Sequence, residues 1–575
     1  MTWREIVRRV AVPGWALVLA GILVWPMARG GYLLGHDLVF TPRQPLGPDA
    51  LGLGSAAPRA VPLDALVAIA ERIVDGAVVG RVAVLAPLVA AGVGTAAVLQ
   101  KVGRPAQLIA CTVAIWNPYV VERLALGQWA LLWTYAVLPW LIVALRWRSG
   151  SGRWPARALL LAAGSITPTG GIITAVAAGS LAYADRSGPR RDRWAVAGLA
   201  LLMQLPWLVP ALTASASGTS DPAGVAAFAA RAEHPGGVLL SLLGGGGIWD
   251  SDVVPGSRGG PLPWLWLVVL AGGAILGARP LARHLGQRRT TVLAVLAAVG
   301  LVLAVLPSLP GGAAVARAAV AHVPGAGLLR DAQKWLLPLV LLEALLLGAA
   351  CARVLHAGVA RPGRVLVTVA AVCLPLIVLP DAAATLRPTL RPVHYPADWA
   401  AIADRIDGGD ALVLPWGSYR TFPWAPGRSV LDPAPRLLPV PAVVDDRLVV
   451  GGRVLRGENP RAERVGDLLA SGGPLGDPLR RLGIRWVVVE HRTPGRLPDL
   501  SGLARVFDGR DVSLYRVAGT VRAERATAAR RAVVVIADLL ALAGIIAVVG
   551  YGLARGLARR RTRRKARRDG PASLL

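Results

Sequence analysis

The sequence predicts a mainly α, polytopic helical membrane protein of about 11–13 transmembrane helices, with a small extracytoplasmic α/β domain near the C-terminus. Three observations carry this expectation. Of 575 residues, 54% are hydrophobic and the mean hydropathy is +0.53, far above a soluble globular average. Several windows of ~17 or more residues carry few or no charges, which is enough to cross a bilayer as a helix. Short basic segments separate many of these windows, whereas the acids gather in longer ones.

Taken in order, a basic start (MTWREIVRR) precedes the apolar run Val10–Ala28. WPMARGG offers no clear small-x-small cleavage site, so an uncleaved first helix starting on the inside is expected. A long polar segment, Arg29–Gly80, follows, and within it apolar residues recur at helical spacing over Leu63–Val74. A second apolar run covers Val82–Leu99. The expected inside loops are Lys101–Arg104, Arg146–Arg157, Asp185–Arg193, Arg279–Arg289, Arg353–Arg364 and the tail, each with a basic excess. The expected outside segments are Arg29–Gly80, Trp116–Gln128, Thr213–Pro263, Pro307–Lys334 and Asp381–Arg530. This pattern requires a break at TPTGG (Thr167–Gly171), so that Arg157–Ala184 makes two short helices rather than one crossing.

The chain then divides into a multi-helix membrane domain (1–380), an extracytoplasmic α/β domain (381–530), a final transmembrane helix (531–552) and a basic cytoplasmic tail (553–575). Both termini are expected inside the cell. Asp381–Arg530 holds half of the chain's 34 acidic residues. Within it, Pro396–Ile406 reads as a helix with Pro at its start. Ala411–Trp416, Trp486–Glu490 and Val512–Val517 read as strands.

Composition also excludes classes. The net charge of +29 sits in short loops and in the tail ARGLARRRTRRKARR (Ala554–Arg568) beside an apolar segment. That placement points to topology and anionic lipids rather than nucleic acid. Arginine outnumbers lysine sixty to three, a bias in which Arg is the default cation, while Lys101, Lys334 and Lys565 stand out. Cys111, Cys351 and Cys373 fall in apolar runs and read as packing residues rather than a disulfide or metal set. There is no Walker loop and no HExxH, and no P-loop lysine follows Gly244–Gly247, so ATP-driven chemistry within the chain is disfavoured.

The chemistry-bearing candidates lie where the outside segments meet the membrane. Asp37 follows the first helix closely and is either a solvated turn residue or a general base for an acceptor hydroxyl. In WNPYVVERLALGQW, Glu122 and Arg123 stand with Trp116, Tyr119 and Trp129, as an interfacial aromatic belt or as a sugar platform. LLRDAQKW (Leu328–Trp335) places Arg330 and Lys334 four apart, hence on one helical face, with Asp331 between them. Two such cations either snorkel at a helix end or clamp a lipid phosphate. Glu343 and Asp538 lie inside apolar helices, where acids are rare unless they face a bundle interior or a wet cavity. Asp250 and Asp252 add a weak signal in a glycine-rich loop.

Together these features resemble the GT-C class of membrane glycosyltransferases, especially actinobacterial arabinofuranosyl- and mannosyltransferase-like proteins of the cell envelope. Where that class often carries paired acids early, Asp37 stands between His36 and Leu38. The resemblance implies a polyprenyl-phosphate sugar donor, with its phosphate near Arg330 and Lys334, and an envelope glycan or lipid acceptor activated by Asp37. It implies no cofactor and leaves a divalent metal open. Two other classes fit the same pattern. One is a lipid or polysaccharide flippase with Glu343 and Asp538 as coupling acids; its helices should show internal repeats. The other is a non-catalytic envelope assembly protein that binds partners through Asp381–Arg530.

Overall fold

The computed structural model describes residues 3–146, 153–214, 218–357 and 360–568, so parts of the predicted basic segments (147–152, 358–359 and 569–575) lie outside the described residues. Helix α1 (Trp3–Leu23) runs into a 3-10 turn at Trp25–Ala28, where Pro26 ends the α geometry. The long polar segment then forms a hairpin, β1 (Leu34–Gly35) and β2 (Leu38–Val39), and the helix α2 (Leu63–Glu71). Asp75 caps α3 (Gly76–Val98) by accepting from the Ala77 N–H. Next come α4 (Arg104–Ile115), α5 (Pro118–Ala125) and α6 (Trp129–Ala144).

The stretch Trp116–Gln128, expected as an outside loop, is instead organised around α5, every residue of which is buried. Asn117 caps α5 by accepting from Val120 N, and Pro118 fills its first turn without wasting a donor. TPTGG breaks the chain as expected, between α7 (Trp154–Gly164) and α8 (Pro168–Ala184), with Thr167 as the cap of α8. The pair α9 (Arg190–Leu202) and α10 (Leu205–Thr213) is bent by 43°. Short turns α11 (Gly224–Ala227) and α12 (Gly237–Leu243) lead to α13 (Leu262–Leu285), α14 (Gln287–Val305) and α15 (Pro310–His322). Then follow α16 (Leu337–His356), α17 (Arg361–Val378) and α18 (Ala382–Leu390).

Among the described residues, six helices are long and apolar enough to cross a membrane, or seven if the bent pair is one span. The higher count of 11–13 from the sequence includes apolar stretches that the chain forms as shorter helices. Of these, α4, α6, α7 and α8 have 12, 16, 11 and 17 residues, below the ~20 that a perpendicular crossing needs. The bundle packs through small residues: a Cβ on Gly277 of α13 would sit 2.1 Å from the Leu346 carbonyl oxygen of α16, and one on Gly300 of α14 2.2 Å from the Trp335 oxygen. An apolar cleft of about 260 Å³ opens between α4, α13, α16 and α17, lined by Val113, Trp266, Gly273, Leu347, Cys351 and Leu374.

The α/β domain begins at α19 (Ala397–Ala403) and β3 (Asp410–Leu414). A second hairpin, β4 (Tyr419–Phe422) and β5 (Ala425–Leu431), is followed by α20 (Ala434–Leu437) and β6 (Ala442–Val443). A third hairpin, β7 (Leu448–Val450) and β8 (Arg453–Leu455), precedes α21 (Pro460–Ser471) and α22 (Gly476–Arg481). Strands β9 (Ile484–Glu490), β10 (Ala504–Asp508) and β11 (Val512–Arg516) complete the sheet in the order β10-β11-β9-β3-β6. It is parallel at β6-β3-β9 and antiparallel beyond. Alternate residues feed opposite faces: Ala411 and Val413 join Trp399 and Ile402, whereas Leu412 and Leu414 join Val465 and Leu479. A last helix, α23 (Ala528–Arg568), carries the apolar segment and continues through the basic stretch.

Bundle and domain meet through the first polar segment. Tyr32 pairs with Val393, and His36 bridges Val430 of β5. Leu34 and Val39 share a core with Phe422, Ala425 and Val430. The β1–β2 hairpin is thus a wedge between the two bodies. Gly277→Val is expected to destabilise the bundle by about 1–3 kcal/mol, the usual cost of overpacking, because backbone stands where the side chain must go; thermal unfolding in detergent against Gly272→Val, whose Cβ meets open space, checks this.

Candidate active site

The hairpin turn that carries Asp37 is tight. His36 adopts φ +48, and Gly127 (φ +80) comes so close that a Cβ there would lie 2.3 Å from the Leu38 nitrogen. Asp37 N donates to the Leu126 oxygen (3.1 Å) at the end of α5, so the turn is pinned to the bundle. The half-buried carboxylate receives one donor from each body: Gln128 Nε2 to Oδ2 at 3.4 Å, and the Tyr419 hydroxyl of β4 to Oδ1. Burial pushes the Asp37 pKa above its ordinary value, against the opposing pull of those two hydrogen bonds. A half-exposed carboxylate with a raised pKa and a free lone pair on each oxygen can accept a proton from a hydroxyl.

Behind it runs a chain of buried polar groups. The Arg123 guanidinium, fully buried in α5, grips Asp331 with two bonds of 2.5 and 2.9 Å, Gln333 Oε1 at 2.6 Å and Gln128 Oε1 at 2.6 Å. Although burial opposes it, the Arg123 charge holds Asp331 below the usual carboxylate range. Gln333 Nε2 passes to Glu122 Oε2 (2.6 Å). Burial first, then the neighbouring Glu233 charge, push the Glu122 pKa well above the carboxylate range. Glu233 is neutralised by Arg258 at 2.7 Å.

The expected site residues therefore meet in part. Asp37, Glu122, Arg123 and Asp331 belong to one network. Tyr119 is buried beside it, donating its hydroxyl to the Lys334 backbone oxygen (3.0 Å), with Arg123 5.8 Å from its ring. Trp129 packs on Phe40 of the wedge, with ring centroids 5.1 Å apart. Trp116 is turned away, its indole N–H on the Leu379 oxygen (2.9 Å). All three aromatic residues of this stretch are buried inside the protein.

Arg330 and Lys334 do not share an α-helical face. Asp331 is drawn to Arg123, and the chain crosses Asp331–Ala332 without helical turns, between separate 3-10 turns at Ala326–Leu329 and Gln333–Leu336. Arg330 is committed to Glu458 at 3.6 Å and lies over Phe228. Among the described residues the Lys334 ammonium has no hydrogen-bond or ion-pair partner. Glu343 and Asp538 sit half-buried on α16 and α23 with no hydrogen bond between them. Asp250 only caps a turn by accepting from Asp252 N at 3.0 Å. Among the described residues no group of three or more His, Cys, Asp or Glu could hold a metal ion.

Sequence reasoning missed Tyr419, which nothing in WGSYRTF marks and which is 382 residues from its partner. It also missed Glu233 and Arg258. Gln128 and Gln333 lay in the quoted motifs and could have been found as polar residues flanking buried charge. Asp331→Asn is expected to cost about 3–5 kcal/mol by leaving Arg123 buried without its counter-charge, read as a lowered Tm of the purified protein.

No protein-family model matches the chain, and no curated protein matches it in sequence. Solved structures do match. The cryo-EM structure of the arabinofuranosyltransferase AftD from Mycobacteria aligns at TM-score 0.55 and 20% identity, covering 90% of this chain and 40% of that one. A mutant form of the same enzyme aligns at TM-score 0.51 and 18% identity, covering 90% and 42%. The chain thus spans about two fifths of the length of the proteins it matches. At this identity the likeness is one of fold: a multi-pass membrane architecture shared with a mycobacterial arabinofuranosyltransferase of the GT-C class.

Proposed function

We propose that the chain is a membrane glycosyltransferase that moves a sugar from a polyprenyl-phosphate donor to an envelope glycan or lipid acceptor at the outer face of the membrane. The observation that carries this reading is the convergence at Asp37. A carboxylate with raised proton affinity, tuned by Gln128 and Tyr419, stands at the junction of bundle and α/β domain, and Lys334, whose ammonium has no hydrogen-bond or ion-pair partner among the described residues, follows Asp331 of the same network by three positions. The shared fold with a known arabinofuranosyltransferase supports it.

In this mechanism Asp37 takes the proton of the acceptor hydroxyl as that oxygen attacks the anomeric carbon. The bond from that carbon to the phosphate oxygen breaks, the phosphate leaves on the prenyl chain, and the configuration inverts. Lys334 is the cation available to the departing phosphate. Arg330 reaches it only if Glu458 lets go. The apolar cleft between α4, α13, α16 and α17 offers surface for a prenyl tail. No nucleotide is needed, which agrees with the missing nucleotide motifs. The basic stretch after the last span suits anionic headgroups on the inner leaflet.

Asp37→Asn is expected to lower transfer from a purified lipid-linked sugar by at least ~10²-fold at unchanged membrane abundance and Tm; undiminished transfer refutes the role. The pH profile gives a second check. Asp37 works as the carboxylate, so activity falls as pH drops through its raised pKa. Tyr419 lowers that pKa, so Tyr419→Phe is expected to move the acid limb to higher pH; an unmoved limb means that Asp37 is not the titrating base.

A further inference from the structure

A second cleft, of about 200 Å³, lies between the first polar segment and the α/β domain. We infer that it binds an uncharged, hydroxyl-rich glycan segment, the acceptor of the reaction proposed above. That last identification rests on the proposed function; the binding itself does not.

The lining sets the chemistry. One wall carries Gln44, Asp49 and Asp64, and the other Asp432 and Arg436. The only cation in the lining is spent: Arg436 pairs with Asp64 at 3.1 Å. Asp432 is spent as well, on Arg420 (2.7 Å) and on the Ala434 N–H (2.8 Å). Two acceptors remain. Asp49 accepts one backbone hydrogen bond, from Ala442, and has no ion-pair partner among the described residues, so its carboxylate keeps acceptor capacity. Gln44, only 5% exposed, gives Nε2 to the Asp64 backbone oxygen (3.4 Å), which leaves its amide Oε1 as an acceptor at the cleft. An amide oxygen and a carboxylate with no ion-pair partner among the described residues suit hydroxyl donors and repel phosphate or carboxylate groups. Prolines 45, 48, 435, 439 and 441 line the rest. Their fixed rings give a stiff apolar surface suited to the C–H face of a sugar.

The position fits an acceptor. Leu431, which lines the cleft, is the register partner of Tyr419, and its N–H donates to the His36 oxygen (2.9 Å). The same strand pair that walls the cleft therefore holds Asp37. A chain lying in the cleft runs against the strand whose Leu431 N–H holds the turn before Asp37.

Gly47 allows a clean test, because it lines the cleft and a Cβ there meets no heavy atom within 4 Å. The full chain in detergent is titrated with neutral pentose and hexose tetrasaccharides and with a phosphorylated tetrasaccharide, read by saturation-transfer NMR. Neutral sugars are expected to bind at least fivefold more tightly than the phosphorylated one. Gly47→Trp should abolish that signal, Gly47→Ala should keep it, and Asp49→Asn should weaken it several-fold; polyprenyl phosphate binding should be unchanged in all three. Wild-type sugar binding by Gly47→Trp, or a preference for the phosphorylated sugar, overturns the inference. The two proposals fail separately. If Gly47→Trp loses sugar binding while Asp37→Asn transfers normally, the cleft stands and the catalytic reading falls. If Asp37→Asn is dead but Gly47→Trp has an unchanged acceptor KM, the reverse holds.

Discussion

A guanidinium with no water is the constraint on which the centre of this structure depends. Arg123 is fully buried, and its donors must be met from within the protein. Meeting them draws in Asp331 and Gln333 from the segment before α16 and Gln128 from the end of α5. Gln128 then reaches Asp37. One unavoidable charge thus fixes the relative positions of three distant pieces of chain. It also explains why the residues around Arg330 leave the helical path: the backbone at Asp331 follows its side chain.

The wedge hairpin is the complementary device. Its backbone bonds go both ways, to Leu126 on the bundle side and to Ser429 and Val393 on the domain side. A buried loop with unpaired backbone would be costly; this one is paired on both flanks. Further in, the Arg258–Glu233 ion pair joins the stretch before α12 to the segment before α13, and Gln333 reaches Glu122 of α5.

Much of this was legible in the sequence, and what was not has physical reasons. Hydropathy located the bundle, TPTGG announced its break through a capping threonine and a proline, and the α/β domain showed in short β-rich runs such as Trp486–Glu490. Asp37, Glu122, Arg123 and Asp331 are visible as charges beside apolar runs. Their meeting was not, because burial is a tertiary property: WNPYVVERLALGQW looks like a loop until its charges find partners more than 200 residues away. The helical spacing of Arg330 and Lys334 misled for the same reason. Tyr419 was invisible because one hydroxyl in a short strand carries no pattern of its own.

The two donors on Asp37 come from different parts of the fold. Gln128 belongs to the membrane bundle and Tyr419 to the α/β domain. The basicity of this carboxylate is therefore a gauge of how the domain is seated. Withdrawing either donor removes a hydrogen bond that lowers the Asp37 pKa, so a shift of the domain that frees Tyr419 raises the proton affinity of Asp37 with no change in the bundle's own residues.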